Sequence, residues 1–526
     1  MQTVQLISNG DFRDSAGVVC WTKQEETLKA VEGAFQSLGV ETNRPHPYKA
    51  DKQHGFVTTQ AEGLRIMADI DPEAPIAVVI CSWVYAHHLV SAFKRHQGPI
   101  LLLANFDGTW PGLVALLNHA GTYERMNVPH SRIWSDNFQD DAVFMKNLKT
   151  WVDTGKIEYS AAHVTSLDEL KIPDAADALG KDLAADILKN KRLMGQLDPG
   201  CMGMLNAVLS PDKMAEIGMP VELLNQSDLL AEMAMVDEGE ARANLDWLQE
   251  RNLNFQWGTD NATELTDGQV MEQMKMYIAA GRIYERFGLS AIGIPYQVGL
   301  VRCCPASDLC EGMWNNTDRP DIKSVETGNI INAGKPIVHF NEGDLGSGMP
   351  QTLMHDILQQ KGMPPETTLH DVRWGGEYDG KFVWVFEISG GAPPAHWDGW
   401  GNTTSYRQPP MYFEKGGGTC SGVYKPGVIT WARLYQSWDE LGLDVGTGEV
   451  IELPDDELKM RQDATTKEWP IANVHIPGYG RDELMATHRS NHITVCYGDI
   501  CAELAAVGKH IGLKVNVVGD ARKAFV

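Results

Sequence analysis

The sequence lacks the features that would tie it to a membrane, a nucleic acid or an export route. No run approaches the ~20 apolar residues that span a bilayer. The first residues show no basic segment followed by a long apolar core, so no signal peptide is expected. The net charge of −25 argues against nucleic acid or an anionic membrane as a partner, because both require a basic surface. We therefore expect a cytoplasmic protein.

Cysteine and glycine spacing argue against two further kinds of site. Nine cysteines are spread along the chain, and no pair of CxxC spacings indicates zinc. Their number is odd and most have apolar neighbours, which favours buried free thiols over disulfides. The glycine-rich turn at residues 199–204 lacks the Lys and the Ser or Thr of a phosphate loop and is not GxGxxG. Nucleotide binding is therefore not expected.

The first third of the chain alternates apolar strand-like runs with segments of helical spacing. The clearest strands are predicted at residues 76–81 and 99–104, with a further short strand at 18–21. This alternation predicts a parallel, doubly wound sheet. Ligands of such sheets lie beyond the C-terminal ends of the strands, where Trp83 and residues 105–110 are found.

Beyond residue 348 the pattern changes to short strands separated by turns. Residues 383–388, 427–434 and 449–453 read as strands with glycine-rich loops between them, which predicts a mixed β domain with a barrel-like form. Residues 493–507 are predicted to be helical. A chain of 526 residues is too long for one core, so two to four domains are expected.

Three separate stretches carry candidate metal ligands. Residues 341–346 place two acids among glycines, directly after the apolar run 336–340, which predicts a buried strand ending in an acidic loop. We hypothesise that Glu311, Asp344 and His492 hold one divalent metal. Carboxylate and imidazole ligands suit Mn²⁺, Mg²⁺ or Co²⁺. Two acids on such a metal could also move a proton between adjacent carbons of a sugar.

Each of these stretches has a simpler interpretation when it is taken alone. Glu311 could be a solvated loop residue, and residues 341–344 could form an ordinary turn. His488 and His492 stand four residues apart, a spacing that a zinc pair on a helix also has. The residues alone leave these alternatives open.

Several motifs raise the odds of the metal site because they occur together in one order. They are residues 200–207 (GCMGMLNA), 226–233 (QSDLLAEM), Glu311-Gly312, Glu342-Gly343-Asp344, Gly416-Gly417-Gly418 and 491–498 (NHITVCYG). Together they resemble the L-fucose isomerase family over roughly residues 195–526. Residues 82–85 and 105–112 are similar but looser.

The resemblance implies a fold, an activity and an assembly. It implies two N-terminal doubly wound α/β domains, at residues 1–165 and 166–345, followed by a β-rich, barrel-like domain at 346–526. The activity implied is that of a Mn²⁺-dependent aldose–ketose isomerase that acts on a free monosaccharide through a cis-enediol. The assembly implied is a homohexamer.

The resemblance also implies roles for individual residues. Glu311 and Asp344 correspond to the paired acids that bind the metal and shuttle the proton, and His492 corresponds to the metal-binding histidine. Asp344 is favoured over Glu342 by its place in the motif. The substrate-binding positions are Trp83 (on a wall lent by the neighbouring subunit), Gln297, Thr419, Trp469, His488 and Asn491.

Two of these positions depart from the family pattern. Thr419 stands where the family has a tyrosine, and His488 where it has a tryptophan, which predicts a wider or more polar pocket than L-fucose needs. Only Arg13 and Lys23 could match the family's basic residue near the N-terminus. We therefore expect an L-fucose or D-arabinose isomerase-like enzyme. The alternatives are a sulfoquinovose isomerase, with Arg373 among the candidate sulfonate contacts, a metal-dependent sugar lyase or epimerase, and a non-catalytic sugar-binding or regulatory protein.

Overall fold

The structure is a computed structural model that describes residues 2–199 and 201–525, so Gly200 of the motif at 200–207 lies outside the described residues. Eight cysteines have described side chains; all eight are free and seven of them are buried, as their apolar neighbours predict. Within the described ranges, no helix combines the length and the apolar character needed to cross a membrane.

The N-terminal region is built on a parallel sheet. Its elements are β1 (Val4–Ile7), α1 (Asp14–Ser37), β2 (Thr42–Asn43), α2 (Gln60–Ala68), β3 (Ile76–Ile80), α3 (His87–Phe93), β4 (Ile100–Asn105), α4 (Gly112–Arg125), β5 (Ser131–Ser135) and α5 (Ala142–Thr154). The strand order is β2-β1-β3-β4-β5, and all neighbours are parallel. β3 and β4 are buried along their whole length because helices cover both faces of such a sheet.

The strand predicted at residues 18–21 is wrong, because these residues lie inside α1. Val18 and Val19 are exposed, whereas Cys20 and Leu28 are buried. The buried positions of this segment recur at helical spacing from Ala16 onwards, so a helix buries them on one face. The first strand of the sheet is β1, which was not predicted.

The middle region adds a smaller sheet and several helices. Its elements are β6 (Val164–Ser166), α6 (Asp174–Asn190), β7 (Met194–Leu197), α7 (Pro211–Glu216), β8 (Val221–Leu224), α8 (Gln226–Met233), α9 (Glu238–Glu250), β9 (Asn254–Phe255), α10 (Asp267–Phe287), β10 (Ala291–Gly293), α11 (Leu300–Cys303) and α12 (Asp308–Trp314). Strands β10, β7 and β8 form a parallel sheet in that order. The strand predicted at 336–340 is reduced to a single bridge between His339 and Ile292.

The C-terminal region contains the large mixed sheet. Its elements are α13 (Leu345–Lys361), β11 (Thr367–Tyr378), β12 (Lys381–Glu387), β13 (Thr404–Ser405), β14 (Gly427–Ser437), β15 (Glu440–Val450), α14 (Asp455–Ala464), β16 (Ile471–His475), α15 (Arg481–Thr487), β17 (His492–Tyr497), α16 (Cys501–His510) and β18 (Lys514–Val518). The sheet has the order β14-β17-β11-β12-β16-β15-β18-β6.

Six strands of this sheet close into a ring. β14 pairs with β17 on one side and with β15 on the other, so β14, β17, β11, β12, β16 and β15 form a closed circuit of hydrogen-bonded neighbours. β18 and β6 extend the sheet outward from β15. The chain is thus mixed α/β, with two parallel sheets before residue 300 and one large mixed sheet formed by strands after residue 366 together with β6.

The helix predicted over residues 493–507 is wrong for its first part. β17 occupies His492–Tyr497, and α16 begins only at Cys501. Ile493, Val495 and Thr494 are β-branched, which favours a strand, and the pairing of β17 with both β11 and β14 buries it. His492 is therefore held rigidly at the start of a central strand of the ring.

Candidate functional site

A cavity of about 400 Å³ lies where the N-terminal sheet meets the ring, and we call it the main cavity. The residues that follow β3 and β4 contribute Trp83, Thr109 and Trp110 to its wall. The C-terminal region contributes the aromatic residues Tyr412, Phe413 and Trp469 and the charged residues Asp371, Arg373 and Glu387. The cavity is of a size that suits a small ligand.

Three adjacent strands of the ring place polar side chains at one level. Asp371 on β11 is the direct cross-strand partner of Glu387 on β12 and of His492 on β17. Directly opposite residues of antiparallel strands have their side chains on the same face and close together. The fold therefore gathers an imidazole and two carboxylates at this point, although they are far apart in the sequence.

The loop at residues 341–344 presents two acids in different directions. Glu342 has a φ of 55°, in the left-handed region that costs a non-glycine residue free energy, and it lines the main cavity. Asp344 is fully buried and caps α13, where its Oδ1 accepts a hydrogen bond of 2.8 Å from the Gly346 amide. The strained turn thus separates a cavity-facing glutamate from a buried aspartate two residues later.

His492 lies among three carboxylates. Its Nδ1 is 2.7 Å from Asp344 Oδ2. Its Nε2 is 3.5 Å from Glu342 Oε2 and 3.4 Å from Asp371 Oδ1. Burial alone would lower the pKa of His492, but the hydrogen bond with Asp344 and the charge of Asp371 raise it above its usual value. The imidazole therefore connects the buried acid with the two that line the cavity.

The carboxylates of this cluster titrate differently because their surroundings differ. Burial would raise the pKa of Asp344, but Arg433, whose Nη1 contacts Oδ2, and His492 hold it well below its usual range. Burial raises the pKa of Glu342 to about 8, and the nearby Asp371 adds to this effect. Opposed shifts of this kind within one cluster of side chains are typical of functional sites.

Glu311 lies on α12, deeper in the protein. It is 1% exposed, and its Oε1 accepts a hydrogen bond of 2.6 Å from Ser307 Oγ. Its Oε2 accepts from the side-chain amide of Asn341 and lies 3.6 Å from His339 Nδ1. Burial raises the pKa of Glu311 to about 7, despite these hydrogen bonds. Asn341 thus links Glu311 to the loop that carries Glu342 and Asp344.

The donors of this cluster are carboxylate oxygens and one imidazole, which are the types that a hard divalent cation prefers. They are not arranged around a single point. Across residues 2–199 and 201–525, no group of three or more His, Cys, Asp or Glu side chains has the arrangement of a metal site. The residue types therefore fit Mn²⁺, although their arrangement here is not that of a metal site.

The six predicted substrate-binding residues fall into two groups. Trp83 and Trp469 line the main cavity of their own chain. Gln297, Thr419, His488 and Asn491 are buried and are not among the lining residues.

The buried group has contacts that explain its position. Thr419 Oγ1 accepts a hydrogen bond from the Tyr406 amide at 3.0 Å. His488 packs against Trp431, and burial lowers its pKa to about 3. Asn491 reaches the cavity indirectly, because its Nδ2 donates to Asp371 Oδ1 at 3.1 Å.

Sequence reasoning missed Asp371, Glu387 and Arg433. All three are charged residues inside or at the end of buried strands, and Glu387 ends a strand that is otherwise apolar, at residues 382–387 (FVWVFE). Burial of a charge in a strand is costly unless the charge is paired or used. That pattern is the signal that could have identified them.

Comparison with protein families supports the resemblance. Residues 402–518 match the family model described as L-fucose isomerase, C-terminal domain. The match covers less than a quarter of the chain and includes β14 to β18 with His492. No curated protein matches the chain. The family match supports membership of the L-fucose isomerase family, as the motifs predict.

Proposed function

We propose that the chain is a metal-dependent aldose–ketose isomerase that acts on a free monosaccharide through a cis-enediol, in the manner of an L-fucose or D-arabinose isomerase. The observation that carries the proposal is the His492 cluster at the main cavity. There one imidazole contacts Asp344 at 2.7 Å and approaches Glu342 and Asp371 at 3.5 and 3.4 Å. The family match at residues 402–518 supports the reaction class.

In this proposal Glu311, Asp344 and His492 hold the metal. When bound, Mn²⁺, or Mg²⁺ or Co²⁺ in its place, would polarise the oxygens on two adjacent sugar carbons. Arg433 and the α13 N-terminus keep Asp344 ionised. Burial and the charge of Asp371 raise the pKa of the neighbouring Glu342, and a cation between two such acids would relieve their repulsion.

We assign proton transfer to the carboxylates of Glu311 and Asp344. A base that removes the proton from C2 and returns it to C1 works best with a pKa near the working pH. Burial raises the pKa of Glu311 to about 7, and a cation bound beside it would lower this pKa again, so that the carboxylate is ionised as a base must be. Asn341 and Ser307 fix its two oxygens, which limits the directions in which the proton can move.

The cavity walls fit a monosaccharide. Trp83, Trp110, Tyr412 and Trp469 offer apolar ring faces for the C–H groups of a sugar. Glu342 and Asp371 offer acceptors for its hydroxyl groups. This mixture also suits a non-catalytic sugar-binding protein, but such a protein would not need the His492 cluster.

A second candidate is isomerisation of a sulfonated sugar such as sulfoquinovose. The observation that favours it is the presence of Arg13, Arg373 and Lys467 among the lining residues. Arg13 and Arg373 are paired with Asp11 and Glu387, respectively, so a sulfonate would have to share these cations.

The experiment incubates a panel of aldoses with the protein and Mn²⁺ in D₂O and then analyses the products. The panel contains L-fucose, D-arabinose, D-altrose and sulfoquinovose. We expect at least one aldose to give a ketose of the same formula with deuterium at one carbon. Ketose formation without solvent deuterium would indicate hydride transfer and contradict the enediol. A change of formula would indicate a lyase, and no product from any sugar would contradict the proposal.

A further inference from the structure

Arg373 occupies an irregular position in the ring. On β11 the pairing with β12 shifts between Val372 and Trp374, so Arg373 is the extra residue of a β-bulge. A bulge redirects the side chain of the extra residue and is common beside functional sites. Here it places Arg373 on the wall of the main cavity, two residues after Asp371.

The guanidinium of Arg373 is buried but poorly satisfied. The residue is 3% exposed, and its Nε forms an ion pair of 3.1 Å with Glu387 Oε2. The contact of Nε with Glu387 does not have the geometry of a hydrogen bond, and Nη1 has no hydrogen-bond partner in the part of the chain that the structure describes. A buried donor without an acceptor is costly, so such groups commonly have a ligand or water as their partner.

Two other buried arginines, Arg461 and Arg319, are satisfied by the protein. Arg461, which is 1% exposed, bonds Glu457 through Nε and the carbonyls of Val383 and Gly376 through its other nitrogens. Arg319 bonds backbone carbonyls through Nε, Nη1 and Nη2. Arg407 and Arg433 each have an Nε without a hydrogen-bond partner among the described residues, but neither lines the main cavity. Arg373 thus combines three properties among the described residues: it is buried, it has side-chain nitrogens without a hydrogen-bond acceptor, and it lines the main cavity.

We propose that Arg373 is a substrate-binding residue that donates to an oxygen atom of the sugar in the main cavity. This inference rests on the proposed function, because it takes a monosaccharide as the occupant. The oxygen belongs either to a hydroxyl of a neutral aldose or to an anionic group such as a sulfonate, and both are acceptors for a guanidinium. Asp371, two residues before Arg373 on β11, lies 3.4 Å from His492. A sugar bound by Arg373 would therefore also face His492 and the carboxylates around it.

The test compares Arg373→Lys and Arg373→Gln with the control Arg461→Lys. Arg461 is equally buried and also ion-paired, but it does not line the cavity. We expect KM to rise about tenfold or more in both Arg373 variants, the range of one lost charge-assisted hydrogen bond, while the control keeps the wild-type KM. Equal KM values for all three variants and the wild type would overturn the inference.

A second measurement separates binding from a structural role. Arg373→Ala should regain activity when millimolar guanidinium is added, and Arg461→Ala should not. If added guanidinium restores nothing while thermal unfolding shows both variants folded, Arg373 acts only through packing and the inference fails.

The two sources of the oxygen are distinguished by the sugars of the panel. If the acceptor is a hydroxyl, Arg373→Gln weakens the neutral aldoses and sulfoquinovose by similar factors. If it is a sulfonate, sulfoquinovose loses far more than L-fucose or D-arabinose. Direct binding of the corresponding alditols, measured by calorimetry, needs no turnover. If Arg373→Gln weakens alditol binding, the inference is supported even where no aldose is isomerised. If the variant binds alditols as well as the wild type does, or if the wild type binds no sugar, the inference is overturned.

Discussion

The N-terminal sheet and the C-terminal ring use their strands in opposite ways. β3 is apolar throughout, β4 is apolar up to its last residue, Asn105, and both are fully buried. Only the residues after their ends reach the main cavity. In the ring, charged residues stand within the strands themselves, as Asp371 and Arg373 do on β11. The first region thus contributes shape to the site, whereas the second contributes its chemistry.

This difference has a physical cost that falls on the ring. Buried charges are destabilising unless they are paired, and Asp344 with Arg433 and His492 is such a pairing. The parallel sheet carries no comparable burden in β3 and β4. Substitutions in the two regions should therefore separate activity from stability.

The largest expected effect is the loss of activity in His492→Asn. Loss of the imidazole removes the link between Asp344, Glu342 and Asp371, and we expect activity to fall by about a thousandfold or more. Mn²⁺ should raise the unfolding midpoint of the wild type, because it binds only the folded state, and should not do so in the variant. His510→Asn, at a surface pair with Asp177, is the control and should behave as wild type. A variant that keeps a tenth of the activity would contradict this role.

A core substitution in the N-terminal sheet should have the reverse effect. Leu103→Ala empties a fully buried position on β4 and should lower the free energy of unfolding by about 2–5 kcal/mol. The turnover per folded molecule should stay unchanged, since Leu103 does not line the cavity. Urea denaturation and kinetics on the same samples measure both quantities. A large loss of turnover in folded protein would mean that the sheet does more than support the wall.

Titration of Glu387, on a strand of the ring, should make the free energy of unfolding depend on pH. Burial raises its pKa from 4.5 to about 7, although the charge of Arg373 opposes the shift. Between these values the folded state holds a proton that the unfolded state has lost. The stability that the protonated Glu387 carboxyl contributes is therefore complete below pH 4.5 and is lost as the pH rises through about 7.

The stability of the wild type relative to Glu387→Gln should fall by up to about 1.4 kcal/mol per pH unit over this interval. Denaturation of both proteins at pH 5, 6, 7 and 8, with chelator present, measures the slope. Parallel curves would show that Glu387 is ionised throughout.

The smallest effect is expected at the wall that the N-terminal region contributes. Trp83→Phe keeps an aromatic face but makes it smaller, so KM should rise about threefold with little change in kcat. Trp257→Phe, at an exposed position outside the main cavity, is the matched control. If kcat falls instead of KM rising, Trp83 affects the reacting atoms and the division between shape and chemistry is too simple.

The sequence predicted the parallel sheet well because β3 and β4 are continuous apolar runs bounded by turns. It failed at residues 18–21 and 493–497, where short apolar β-branched segments do not distinguish a helix from a strand. Glu311, Asp344 and His492 came from motifs, and their joint role as metal ligands stays a prediction, as do the hexamer and the cytoplasmic location. Asp371 could not be assigned, because only the register of β11 with β17 places it opposite His492.

The sequence alone determined the two apolar strands β3 and β4, the net charge of −25, and the three stretches that carry acids and histidine. Only the tertiary structure decided which of these acids faces the main cavity. Glu342 does so because its backbone is held in the left-handed region, while Asp344 turns inward to cap α13. Side-chain direction at such a turn depends on φ and on capping contacts, and both are set only when the chain is folded.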